Sequence, residues 1–193
     1  MNPKLTDMEI LSAYRKADPS GRLRIMMDNY SIFPKVIRKV EKKTLYMIRM
    51  EQESRRHHSF EELGVRVQTS HISNPTFREA IANLTIEEAM KTGKIDREML
   101  EGMEDARRYE EDIKTISVMN MDYELLTEII EGLEDEDSKI MKQRLLEHRT
   151  VKDIAVSEGR SYETIKKRLE IIRLQIKEEI IECLEMSCRG IKL

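Results

Sequence analysis

Thr150 and Ser161 stand 11 residues apart, both are residue types that cap helices, and Gly159 lies between them. So close a pair leaves room for one short helix and one tight bend before the next helix begins. Glycine suits the bend because it takes the left-handed backbone conformation without steric cost. The short helix, from Thr150 to about Ser157, places Val151, Ile154 and Ala155 on one side. Ahead of it, Asp135-Glu136-Asp137 opens a helix carrying Ile140, Met141, Leu145 and Leu146. Beyond Ser161, Ile165, Leu169, Ile172, Ile176 and Ile180 recur at steps of three and four, which predicts a long last helix with one buried stripe. Residues 133–193 therefore read as a tri-helical helix-turn-helix unit.

In that last helix Tyr162, Glu163, Lys166, Lys167 and Glu170 turn outward, away from the stripe. A helix presented this way can enter a major groove, where Lys donates to guanine O6 and N7, Glu accepts from cytosine N4, and Tyr touches a sugar or methyl. Arg149, Lys152, Arg160, Ser161 and Arg173 are the candidate phosphate contacts, outside the groove. Charge placement agrees. From Lys139 to Lys177 there are 11 basic and 5 acidic residues, whereas from Asp96 to Asp137 there are 16 acidic and 4 basic. The first segment suits a polyanion and the second repels one, although the net charge of the chain is -3.

The rest of the chain reads as helix too. Apolar residues make up 39% and charged residues 37%, with 13 Met, only 7 Gly and 4 Pro, and no Trp, which favours an all-α protein. Thr6-Asp7-Met8-Glu9 reads as a capping box, and Asp18-Pro19-Ser20-Gly21 as the stop of the helix it opens. A second helical region runs from about Arg22 to Arg56, interrupted near Pro34, with Lys35, Arg38, Lys39, Lys42, Lys43 and Arg49 making its other face basic. Periodicity is lost between His57 and Pro75. It returns in a helix that breaks at Thr92-Gly93, a second from about Asp96 to Met119, a joint at Asn120-Met121-Asp122, and a compact helix ending near Gly132. The expected organisation is a basic helical region (1–56), a linker (57–75), an acidic helical region (76–132) and the helix-turn-helix domain (133–193). Opposite charges on consecutive segments suit pairing within the chain or between copies, so the N-terminal and central helices are the candidate homo-oligomer surface. Accessory phosphate contacts are the other role open to the basic helix.

Several classes are disfavoured. His57, His58, His71 and His148 lack metal-ligand spacing, and no nucleophile–base pair or phosphate-cradling glycine loop accompanies the acidic helices. No catalytic residue, metal or cofactor is therefore assigned. Cys183 and Cys188 form neither a disulfide framework nor a zinc pattern, MNPKLTDMEI lacks a leader's apolar stretch, and no run is long enough to span a membrane. A cytoplasmic protein without membrane contact is expected.

The run Thr150-Val-Lys-Asp-Ile-Ala155, Gly159-Arg-Ser161 and Tyr162-Glu-Thr-Ile-Lys-Lys-Arg-Leu169 resembles region 4 of bacterial sigma factors. The resemblance implies double-stranded DNA as partner, through a helix docked into a promoter element, and a contact with RNA polymerase. That family places apolar residues on both sides of the turn glycine; here Glu158 and Arg160 stand there, which implies altered packing, with Val156 available to fill the space. The order of segments is similar to phage-encoded late transcription regulators of the ArpU and RinA type, implying a phage or prophage setting. A complete sigma factor also carries an aromatic helix that captures an unpaired promoter base. With aromatics at 5% and Tyr46 alone in its helix, promoter melting is not expected. The expected function is a sequence-specific DNA-binding transcription regulator; the alternatives are a small-terminase-like DNA packaging protein and a helical protein–protein adaptor.

Overall fold

In the computed structural model, which describes residues 6–62, 75–95 and 97–191, four helices begin at a side-chain cap, at Thr6, Asp18, Thr150 and Ser161. Thr6 and Glu9 close a reciprocal capping box on α1 (Asp7–Lys16), the Thr6 N–H donating to Glu9 Oε2 at 2.6 Å. Asp18 does more than stop that helix. Its carboxylate accepts from the Gly21 N–H at 2.9 Å and Pro19 occupies the first turn, so the expected stop signal opens α2 (Pro19–Asp28), ahead of Arg22. The interruption near Pro34 is the start of α3 (Phe33–Glu62), where proline's missing N–H has no helical partner to lose. That helix continues past Arg56, so residues 57–62 of the expected linker are helical, and 63–74 lie outside the described residues.

α4 (Pro75–Thr92) ends at Gly93, whose φ of 71° lets its N–H reach Ala89 O at 2.7 Å. A 3-10 turn (Arg97–Leu100) then replaces the start of the helix expected from Asp96. The joint expected at Asn120-Met121-Asp122 is absent: α5 (Ala106–Glu131) runs through it unbroken. Asp122 is not a breaker but a buried member of the helix, and its partner comes from α1. The remaining helices are α6 (Asp135–Leu145), α7 (Val151–Ser157) and α8 (Tyr162–Ile191). Among the described residues every regular element is helical, so the protein is all-α, and no helix is long and apolar enough to cross a membrane.

The chain forms two compact units, one made of residues 1–37 and 118–193, the other of 38–117. This grouping cuts across the consecutive segments 1–56, 57–75, 76–132 and 133–193, because α1 and α2 share a unit with the C-terminal helices. The stripe of α8 is the spine of the first unit: Ile165, Leu169, Ile172, Ile176, Ile180 and Leu184 are all buried. Each such side chain contributes roughly 1.5–3 kcal/mol when taken from water. Tyr14, Tyr30, Phe33 and Tyr123 form an aromatic cluster with ring centroids 5.2–5.9 Å apart.

Beside it lies a buried polar knot. The Tyr14 hydroxyl donates to Asp122 Oδ2 at 2.7 Å and Ser187 Oγ donates to the same oxygen at 3.1 Å. Arg22, only 1% exposed, donates from Nε to Tyr14 O at 3.2 Å and from Nη1 to Ser187 Oγ at 3.0 Å, with its guanidinium 5.1 Å from the Tyr14 ring centroid. Burial raises the Asp122 pKa, against the lowering effects of Tyr14, Ser187 and Arg22. The buried charges are tolerated here because they are opposite, 3.8 Å apart, and both are hydrogen-bonded.

The second unit packs Val40, Ile48, Ile86, Met90, Tyr109 and Ile113. Tyr109 donates to Glu51 Oε2 at 2.8 Å, and burial together with that carboxylate holds its pKa well above the usual phenol range. The ion pairs Arg107–Glu111 (3.2 Å) and Lys114–Glu110 (3.0 Å) run along α5 itself.

Candidate nucleic-acid interface

The turn between α7 and α8 is built almost entirely from backbone geometry. Thr150 caps α7 reciprocally with Asp153: the Asp153 N–H donates to Thr150 Oγ1 at 3.2 Å and the Thr150 N–H to Asp153 Oδ2 at 3.0 Å. The Thr150 hydroxyl also donates to Asp153 Oδ2 at 2.7 Å, and that bond, followed by the one from the Thr150 N–H, lowers the Asp153 pKa. At the other end Gly159 has φ 62°, the Gly159 N–H bonds Val156 O at 3.3 Å, and the Arg160 N–H bonds Ala155 O at 3.0 Å. These two bonds are those of a Schellman motif. A Cβ at position 159 would meet nothing within 4 Å, so glycine is needed there for its backbone conformation and not for space. Ser161 then caps α8, accepting from the Thr164 N–H at 3.1 Å.

The polar pair flanking the glycine is held by ion pairs. Glu158 accepts from Gln143 Nε2 at 2.7 Å and Lys139 Nζ at 3.0 Å, and Arg160 pairs with Glu136. The turn is thus tied to α6 by charge where the sigma-like pattern uses apolar contact. The Val156 side chain does not fill the space at the turn and is 84% exposed. Arg168 completes the tie, donating through Nε and Nη2 to the buried Asp137. The left-handed His148 (φ 55°) redirects the chain between α6 and α7, and its Nε2 lies 2.7 Å from Ser31 Oγ.

Tyr162, Glu163, Lys166, Lys167 and Glu170 all lie exposed on the first turns of α8, on one continuous outer surface. Neither Lys166 nor Lys167 has an acidic partner among the described residues. The phosphate candidates divide. Lys152 and Arg173 are exposed and likewise without an acidic partner. Arg149 is half-buried, donating to Gln143 Oε1 at 2.8 Å with Glu147 at 3.7 Å, Arg160 is paired, and the Ser161 hydroxyl is engaged as a cap. Sequence reasoning missed Lys177, which continues the Lys166, Glu170, Arg173 face at helical spacing, and Arg24, which only the tertiary fold brings near it. Among the described residues no group of His, Cys, Asp and Glu could hold a metal ion. Comparison of the chain with protein-family models, with curated proteins and with solved structures finds no match.

Proposed function

We propose that the chain is a sequence-specific double-stranded DNA-binding transcription regulator whose reading head is the first half of α8. One observation carries the reading: Lys166 and Lys167 are exposed and, among the described residues, unpaired at the start of a helix that a glycine turn projects, while Arg149, Arg160 and Arg168 nearby are engaged by acids of the same unit. Unpaired cations in a packed, acid-rich protein are available to an outside polyanion. Lys166, Lys167, Glu163, Glu170 and Tyr162 face base edges, and Lys152 and Arg173 hold phosphates. The same proposal includes a contact with RNA polymerase, which rests on the sigma-like run, a phage or prophage setting, which rests on the order of segments, and a cytoplasmic location, which rests on the lone pair of unpatterned cysteines. No chemical step is assigned.

The test is selection of bound duplexes from a random pool, followed by titration of the full chain and of a Lys166→Ala, Lys167→Ala variant. The variant is expected to lose preference for the selected duplex while its thermal unfolding stays unchanged, since both positions lie off the buried stripe. Retention of full affinity and preference would overturn the reading in favour of a protein adaptor. A ring-forming oligomer that binds DNA without promoter preference would move it to the packaging alternative.

A further inference from the structure

Between α2, the end of α6 and α8 runs an open groove of about 660 Å³. Arg24, Arg144, His148, Arg173 and Lys177 line it, and Asp28 is the one acid among its lining residues. Arg24, Arg173 and Lys177 are exposed and make no ion pair among the described residues. We propose that this groove seats the sugar–phosphate backbone of the duplex whose base edges α8 reads, so that α2 is part of the DNA-binding surface. The inference rests on the reading of α8 given above and extends it to a second element.

The geometry follows from helix spacing. Lys166, Glu170, Arg173 and Lys177 succeed one another at steps of four, three and four, and so share one face of α8. At about 1.5 Å of rise per residue, Arg173 lies roughly 10 Å and Lys177 roughly 16 Å along the axis from Lys166. The major groove is about 8.5 Å deep. With α8 entering amino end first and Lys166 at the base edges, Arg173 and Lys177 lie farther along the axis than the groove is deep, at the level of its phosphate walls. Arg24 faces the same space from α2. The apolar floor, Leu23, Met27 and Leu145, suits the aliphatic stems of such side chains and leaves their charged ends outermost. Clustered cations without internal partners displace condensed counterions from a duplex, which an isolated surface lysine does far less.

The experiment titrates the full chain with the selected duplex and with an unrelated duplex of equal length, over a series of salt concentrations. The variants are Arg24→Ala with Lys177→Ala, Arg24→Lys, and Lys166→Ala with Lys167→Ala. The first variant is expected to weaken both duplexes by a similar factor and to flatten the log–log salt slope by about one per lost phosphate contact. Arg24→Lys keeps the charge and is expected to keep the slope. The inference is overturned if the first variant binds both duplexes with the wild-type slope while the Lys166, Lys167 variant loses preference; the reading of α8 then stands alone. If neither variant changes binding, both readings fall. If the first variant loses capture of an acidic helical peptide and not of DNA, the groove belongs to a protein partner and the inference is likewise overturned.

Discussion

The groove between α6 and α7 measures about 620 Å³, and its charges answer one another: Lys139 sits 3.0 Å from Glu158, and Arg149 has Glu147 and Gln143. The groove of α2, α6 and α8, at about 660 Å³, gathers five basic side chains against Asp28. The two are similar in size and both are lined with charge, yet the first is neutralised from within and the second is not. Summed charge, whether of the chain or of a segment, does not distinguish them. Pairing does, because an internally bonded guanidinium has its best acceptors already and gains less from a phosphate than an unpartnered one.

The harshest way to break the comparison is to remove the wall that only the cationic groove possesses. A fragment of residues 118–193 lacks α1 and α2 and leaves Asp122 and Ser187 without Tyr14 and Arg22. It is expected to lose cooperative thermal unfolding, as followed by circular dichroism; a fragment melting as sharply as the whole chain would show that α2 is not integral to the unit. Next in size is Arg168→Ala, which strands the buried Asp137 carboxylate at a cost of about 1–3 kcal/mol. Lys177→Ala is expected within about 0.5 kcal/mol of wild type. Denaturant unfolding of the two variants checks this, and equal losses would mean that pairing does not separate the two regions.

The smallest effect is acid sensitivity. Hydrogen bonds from Gln143 and Lys139 hold the Glu158 carboxyl below its ordinary pKa. A group whose pKa is lower folded than unfolded adds stability above its unfolded value, and that stability is lost as pH falls through the lowered folded value. Glu158→Gln should therefore shallow the acid limb of the unfolding midpoint plotted from neutral pH to about pH 3. An unchanged limb would show that the paired groove does not depend on this carboxylate.

What the sequence disclosed was local. Thr150, Gly159 and Ser161 are legible because caps and turns are made with neighbours, and the buried stripe of α8 because helical spacing repeats. Asp122 was misread as a joint since a polar residue in a helix looks like a break until its partner, 108 residues earlier in the chain, is known. Asp18-Pro19 carried two meanings, an end and a beginning, and sequence order alone does not choose between them. Glu158 and Arg160 look out of place beside the turn glycine for the same reason, since the donors to Glu158 and the acceptor for Arg160 lie on α6. The candidate reading face was visible from spacing; which cations remain unpaired, and that Arg24 joins them, was not.

Arg22 and Ser187 are hydrogen-bonded across 165 residues of sequence. During synthesis α1 and α2 leave the ribosome before α8, yet Arg22 Nη1 and Asp122 Oδ2 lack their Ser187 partner until α8 has followed. The unit that holds α8 is thus assembled from segments on either side of residues 38–117, and contacts of such long sequence separation slow folding. A chain cut short within α7 keeps Tyr14, Arg22 and Asp122 but has no Ser187, so the buried knot stays half-made.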